Sequence, residues 1–305
     1  MNSVDNFKSG YIAIVGRPNV GKSTLMNCLL DFKLSIISPR PQTTRKRIMG
    51  IMNKPGIQII FLDTPGLIVP EYRLQHSFGR FIESSIYDAD LILHIVACVE
   101  KKSDLQFKVN EDIDDIKRIN PQKKPVVLVI NKVDLYPKDI LLPLLENYAG
   151  EYDYNNLIPV SALKNDGLSE LVDQLIKGIP FHPPFYDPEI LTEQPERFFV
   201  SEFIREQLFL HFREEIPYST EVQIEDFIEH QKRKDLIRAI IYVERDSQKG
   251  IIIGNKGTTL KNIGIHARRE IETFLGREIF LELRVKVSKD WRKKEEQLKK
   301  FGYSK

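Results

Sequence analysis

Gly16-Arg17-Pro18-Asn19-Val20-Gly21-Lys22-Ser23 follows the apolar run Tyr11–Val15 and leads into the helix-like Thr24–Leu30. Strand, glycine-rich loop, helix is the order of a phosphate-binding loop. Unpaired backbone N–H groups at the start of the helix bind phosphate oxygens, and the helix dipole adds to the attraction. Gly16 and Gly21 allow close backbone approach. Lys22 reaches the β- and γ-phosphates, and the Ser23 hydroxyl ligates Mg²⁺. Arg17, Pro18, Asn19, Val20 and Thr24 complete the cradle.

Later segments narrow the ligand. Gly56–Leu62 reads as a buried strand, followed by Asp63-Thr64-Pro65-Gly66-Leu67. A carboxylate at the carboxyl end of a parallel strand suits an outer-sphere Mg²⁺ partner. Gly66 lets the main chain turn its N–H toward a γ-phosphate. The strand Pro125–Ile130 runs into Asn131-Lys132-Val133-Asp134. The Asp134 carboxylate accepts two hydrogen bonds, which matches the N1–H and exocyclic amine of guanine. Adenine presents a lone pair at N1, and a site built for hydrogen bonding rejects such a mismatch by about 10⁴-fold or more. Asn131 braces the loops, and the stem of Lys132 packs along the base. Ser161-Ala162-Leu163 follows Leu157–Val160 and offers the Ala162 N–H to the guanine O6. In Ser38–Arg47, which holds Gln42-Thr43-Thr44-Arg45, one threonine closes over the γ-phosphate and ligates Mg²⁺. Thr44 is preferred to Thr43.

Taken in order, these segments resemble the translation-factor-related branch of GTPases over roughly the first 180 residues. Leu67 stands where many small GTPases carry a water-orienting glutamine, so intrinsic hydrolysis is expected to be slow. Asn19 carries a further implication of the resemblance, a K⁺ ion beside the phosphates. A loop residue tolerant of unusual φ/ψ is the plainer reading of Asn19. The catalytic set expected is Lys22, Thr44, Gly66 and Asn19, with Ser23, Thr44 and Asp63 at the metal.

The 305 residues are too many for one ordinary core, so two domains are expected. Apolar residues make up 42% and charged residues 29%, as in a soluble globular protein, and the net charge is +2. The only two cysteines, Cys28 and Cys98, show no metal spacing or disulfide framework and suit a reducing cytosol. Met1–Gly10 has no signal-peptide core, and Leu91–Val99 is too short to span a bilayer. His94, inside it, reads as a core histidine. Strands at Tyr11–Val15, Arg47–Met52, Gly56–Leu62, Leu91–Val99, Pro125–Ile130 and Leu157–Val160 alternate with helical patterns. The class expected is α/β, a doubly wound and mostly parallel sheet over residues 1–180. Prolines crowd residues 181–195, an extended linker docked in part through its aromatics.

Residues 196–305 form a second, smaller α+β domain with a basic final helix, Ser288–Lys300. Helix Glu196–Phe212, strands Ser219–Glu229 and Leu236–Arg245, Gly254-Asn255-Lys256-Gly257, helix Thr258–Leu275 and strand Ile279–Val287 follow in order. That series resembles a type II KH domain. In such a domain the Gly-x-x-Gly loop clamps about four nucleotides of single strand. Ile251, Ile252 and Ile253 are candidates for an apolar groove receiving the bases. Residues 186–255 hold 9 Lys+Arg and 15 Asp+Glu, whereas residues 256–305 hold 14 and 7. The basic half suits phosphate contacts. The RNA-binding set expected is Ile253, Gly254, Asn255, Lys256, Gly257, Lys261, Arg268, Lys289 and Arg292. Trp291 either stacks a base or pins the last helix.

The pairing of the two domains is similar to the Era family of bacterial GTPases across essentially the whole chain. That resemblance implies GTP hydrolysis with Mg²⁺ and binding near the 3′ end of 16S ribosomal RNA. It also implies a role in small ribosomal subunit assembly, carried out by a cytoplasmic monomer. Two rivals stand beside it. One is a GTPase held weakly at the inner face of the membrane by the cationic tail; the other is an RNA-binding module whose GTPase is vestigial.

Overall fold

The phosphate loop leaves the middle of a six-stranded sheet. In the computed structural model, which describes residues 6–97 and 105–303, β1 (Lys8–Val15) has β3 (Ile57–Asp63) on one side and β4 (Leu91–Ala97) on the other. The full order is β2-β3-β1-β4-β5-β6, with β2 (Ile48–Lys54), β5 (Val126–Asn131) and β6 (Asn156–Pro159). Only the β2–β3 pair is antiparallel. Strand order reverses at β1, and ligands of open α/β sheets bind at such a switch point. The inner strands are apolar on both faces because helices cover both. Ile12 to Val15, Ile59 to Leu62 and Val126 to Ile130 are all buried. Cys98 and the end of the expected strand Leu91–Val99 lie outside the described residues.

Around the sheet run α1 (Lys22–Leu30), α2 (Arg73–Asp88), α3 (Leu105–Ile119), α4 (Lys138–Glu151) and α5 (Leu168–Gly178). One core cluster joins Ala13, Val15, Leu67, Ile92, Val96, Ile113, Leu128 and Tyr148. His94 is buried there, its Nδ1 3.0 Å from the Tyr154 hydroxyl. Burial holds its imidazole near pKa 3, so it is neutral and structural.

By contact clustering, the first unit comprises Met1–Ser35, Thr44–Val69 and Phe78–Glu193. Its proline-rich end is laid along the edge strand. The Ile51 N–H donates to the Leu191 carbonyl at 2.8 Å and Thr192 Oγ1 to the Met49 carbonyl at 2.7 Å. Gln58 Oε1 accepts from the N–H groups of Phe185 and Tyr186, and Phe185 packs edge-on against Tyr11 at 4.9 Å. The strap therefore caps ladder groups that β2 would otherwise expose.

The second unit comprises Ile36–Thr43, Pro70–Ser77 and Gln194–Lys305. Its sheet is β7 (Glu221–Ile228), β8 (Asp235–Val243) and β9 (Ile279–Val287), antiparallel then parallel. The parallel step needs a crossover, supplied by α8 (Asp246–Ile253) and α9 (Thr258–Leu275). The helices α6 (Glu196–His211) and α7 (Ile216–Ser219) precede the sheet. Two expectations change here. Ile251, Ile252 and Ile253 form the last turn of α8, and Ile252 is fully buried in the core rather than open to a ligand.

The basic tail is also not one helix. Asp290 adopts φ 54°, a single turn follows at Trp291–Lys293, and α10 covers only Glu295–Lys300. The break turns the Trp291 indole inward, where Nε1 donates to the Ser219 carbonyl at 2.8 Å. Leu298, Phe301 and Tyr303 are buried with it. Trp291 thus pins the tail. The large apolar residues of the tail face the protein, so they are not presented to a lipid surface. No helix among the described residues is long and apolar enough to cross a membrane.

Candidate functional site

The loop between β1 and α1 is a lattice of left-handed backbone and close contacts. Gly16 has φ 152°, and a Cβ there would lie 2.2 Å from the Ile95 carbonyl oxygen. Gly21 has φ 101°, and a Cβ there would lie 2.2 Å from Asn131 Nδ2. Only glycine fits either place. Asn19, at φ 64°, occupies the left-handed region that asparagine tolerates.

Lys22 is buried, and its Nζ donates to the Gly16 and Arg17 carbonyls, both at 2.9 Å. Burial lowers its pKa to about 8, against the opposing pull of Asp63. Asp63 ends β3 and is fully buried. Its Oδ2 accepts from Ser23 Oγ at 2.8 Å, Ser35 Oγ at 2.9 Å and Thr44 Oγ1 at 3.4 Å. Ser23 Oγ and Thr44 Oγ1 are 2.8 Å apart. Burial pushes the Asp63 carboxyl up, while Lys22 and the three hydroxyls pull it down.

Asp63 Oδ1 is buried without a hydrogen-bond partner. An orphaned carboxylate oxygen beside two hydroxyls is a donor set that fits a hard cation and its water shell. The structure brings Thr44, not Thr43, to these atoms. Ser35 is a member that sequence reading missed; a lone serine after a helix carries no pattern.

Gly66 lies against the loop. A Cβ there would come within 2.8–3.0 Å of Pro18 ring and backbone atoms. The Leu67 N–H donates to the Gly16 carbonyl at 3.0 Å, and the Leu67 side chain joins the core. Thr64 Oγ1 donates to the Ile14 carbonyl at 2.7 Å, which ties the turn to β1.

Base-recognition residues interlock with the same loop. Asn131 Nδ2 donates to the Val20 carbonyl at 2.8 Å, and Lys132 Nζ to the Asn19 carbonyl at 2.6 Å. Ser161 Oγ donates to Asp134 Oδ1 at 2.5 Å and so fixes the carboxylate's rotamer. The Ala162 N–H donates to Asn131 Oδ1 at 3.0 Å and so helps to orient Asn131. Leu163 is exposed. Arg17 takes part in the loop through its main chain. Its guanidinium turns to α3, and only its main chain lines the cradle.

Within the second unit, α6 holds the segment 36–43 at both ends. The Ile37 N–H donates to Glu206 Oε1 at 2.9 Å, and Arg205 donates to the Thr43 carbonyl at 2.5 Å. Arg205 is buried and paired with Glu202.

Gly254-Asn255-Lys256-Gly257 joins α8 to α9. Gly254 has φ 71°, and a Cβ there would meet Thr259 Oγ1 at 2.1 Å. Lys256 and Gly257 are also left-handed, at 49° and 79°. The loop opens on a cavity of about 510 Å³ lined by Gly257, Leu260, Lys261, Ile265, Arg268 and Phe280, among others. Phe280 is 57% exposed and Ile265 41%. Sequence reading found Lys261 and Arg268 but missed Ile265 and Phe280, because a helix face and a strand face meet only in three dimensions. Arg268 also pairs with Glu272 at 3.3 Å. Ile253 is half-buried beside the loop, and Lys289 is exposed but outside the cavity. Arg292 is not brought to the cavity: it pairs with Glu244 at 2.6 Å and lies over Tyr72.

Known proteins share this arrangement. A family profile described as 50S ribosome-binding GTPase matches residues 11–132, and one described as KH domain matches residues 215–292. The GTPase Era of Geotalea daltonii is 48% identical over 297 residues, spanning 97% of this chain and 98% of that protein. The GTPase Era of Lacticaseibacillus paracasei is 43% identical, with 97% of each chain covered. Among solved structures, a point variant of Aquifex aeolicus Era bound to GDP·AlF₄⁻ aligns with TM-score 0.91 at 40% identity, over 98% of this chain and 100% of that one. Era in complex with MgGDPNP and nucleotides 1506–1542 of 16S ribosomal RNA aligns with TM-score 0.90 at 40% identity and the same coverage.

Proposed function

The chain belongs to the Era family of GTPases, and on that premise we propose that it is a guanine-nucleotide switch on ribosomal RNA. It binds GTP with Mg²⁺ and hydrolyses it to GDP and phosphate. In the proposed division of labour, residues 1–180 are the GTPase domain, 181–195 the linker and 196–305 the KH domain. The KH domain binds the 3′ end of 16S ribosomal RNA, and the protein assists small-subunit assembly as a cytoplasmic monomer. The observation that carries this reading is the left-handed Gly254–Gly257 loop, set beside a half-apolar, cationic groove, in the same chain as a guanine site. Backbone N–H groups of such a loop meet a sugar-phosphate chain, and Phe280 and Ile265 offer faces for unstacked bases.

In the nucleotide site, Lys22 and the loop N–H groups bind the phosphates, and Asp134 reads the base. Ser23, Thr44 and Asp63 hold Mg²⁺, which supplies charge neutralisation on the phosphate oxygens. Gly66 presents its N–H toward the γ-phosphate. Leu67 is locked in the core and cannot orient water, so unassisted turnover is slow. K⁺ beside Asn19 is a further ion this reading accommodates; equal rates in KCl and NaCl would remove it. The anchoring of residues 36–43 by Arg205 and Glu206 supports a switch, because loss of the γ-phosphate releases such a segment. Crosslinking in cells followed by RNA sequencing tests the assignment. Enrichment of 16S 3′ ends supports it, and enrichment of unrelated RNAs or none overturns it.

A further inference from the structure

Every residue of the phosphate loop from Gly16 to Gly21 is held by a neighbour. Leu67 donates to the Gly16 carbonyl, Gly66 abuts Pro18, Lys132 donates to the Asn19 carbonyl, and Asn131 donates to the Val20 carbonyl and leaves no room for a side chain at Gly21. Those neighbours lie in the segments expected to meet nucleotide. Arg17 is the exception. Its Nε donates to Asp115 Oδ2 at 2.8 Å and lies 3.6 Å from Asp112 Oδ1. Its Nη1 is 2.8 Å from Glu111 Oε2, and Nη2 donates to the Glu111 carbonyl at 3.4 Å. The three acids share one face of α3. Asp112 is itself fixed by the Tyr148 hydroxyl of α4 at 2.7 Å and by Lys108 at 2.9 Å.

We propose that Glu111, Asp112 and Asp115, acting through Arg17, are positioning residues that set the orientation of the phosphate loop for guanine-nucleotide binding. The planar guanidinium makes directional bonds from three nitrogens, so it fixes the Arg17 main chain as well as its charge. The Arg17 carbonyl in turn accepts from Lys22 Nζ at 2.9 Å. A swing of Arg17 therefore moves the platform on which the phosphate-binding ammonium rests. Attraction of phosphate is not the purpose of Arg17, since three carboxylates surround its single charge.

That balance of charge gives a test whose sign discriminates. Glu111→Gln with Asp115→Asn removes negative charge near the phosphates. Electrostatics alone then predicts slower GDP release, whereas loss of the latch predicts GDP release faster by about tenfold. The measurement is stopped-flow release of a fluorescent GDP analogue from the full chain. Steady-state GTP hydrolysis accompanies it, where KM should rise by more than kcat falls. Arg17→Lys, which keeps the charge but not the fork, should behave like the acid variant and covers the case in which that variant does not fold. Adding Arg17→Ala to the acid variant should bring little further acceleration. Unchanged or slower release, full function in Arg17→Lys, or additive effects would each overturn the proposal.

Discussion

The nucleotide site and the Gly254–Gly257 loop both place glycines in left-handed backbone, yet they are built in opposite ways. The first is interlocked: Lys22, Asp63, Thr44 and Asn131 are buried, Lys22 hydrogen-bonds back to its own loop, and the other three are each tied to another motif. The second is open, with Asn255 and Lys256 exposed and Phe280 presenting its ring to solvent. A small ligand of fixed shape rewards a site whose groups are ordered before it arrives. A flexible polymer is better met by a few fixed contacts on an accessible ridge. The contrast predicts that damage at the first site is large and local, while damage at the second is graded and salt-sensitive.

The largest effect should come from Asp134→Ala. Losing two hydrogen bonds to a charged acceptor weakens GTP binding by about 10³-fold in calorimetry. RNA binding by the nucleotide-free chain should stay within about twofold, because Asp134 acts on RNA only through the bound nucleotide. A comparable loss of both would break the contrast. Next, Asn255→Asp with Lys256→Asp should weaken single-stranded RNA binding by about 30-fold and flatten its salt dependence, read by fluorescence anisotropy at several KCl concentrations. Phe280→Ala should cost about tenfold in the same assay if the ring stacks a base. Being largely exposed, the ring should contribute little to the melting temperature.

The smallest effect concerns protons. Lys22 has a pKa of about 8 in the nucleotide-free fold, below its unfolded value of 10.5. Between those values the unfolded chain holds a proton the folded one lacks, so nucleotide-free stability should rise with pH there. Phosphate binding restores the ammonium. GTP affinity should therefore fall by about fourfold from pH 7.0 to 8.5, and no fall would contradict the buried, depressed lysine.

Much of the first site was legible in the sequence because local order encodes it. Apart from the Thr44 segment, each motif follows a parallel strand, and strand ends converge at the switch point of the sheet. What was not legible came from elements with no local signature. Ser35 reaches Asp63 across 28 positions, and Glu111 and Asp115 reach Arg17 across nearly 100. The Ala162 N–H donates to Asn131 across 31 positions, a contact that no local pattern announces. In the second domain, α9 and β9 match their expected limits, since periodicity and flanking glycines mark them. The groove was half seen, and Arg292 was drawn away by Glu244, a residue 48 positions earlier. The tail read as one basic helix because charge pattern alone does not show that Trp291 must turn inward.

The central claim is that the bound guanine nucleotide sets the grip on RNA. Anisotropy titration of the full chain with a single-stranded 16S 3′-end oligonucleotide, in a non-hydrolysable GTP analogue and then in GDP, tests it most directly. The account predicts binding at least about fivefold tighter with the analogue, within the usual range of coupling between sites. Equal affinity in the two states contradicts it.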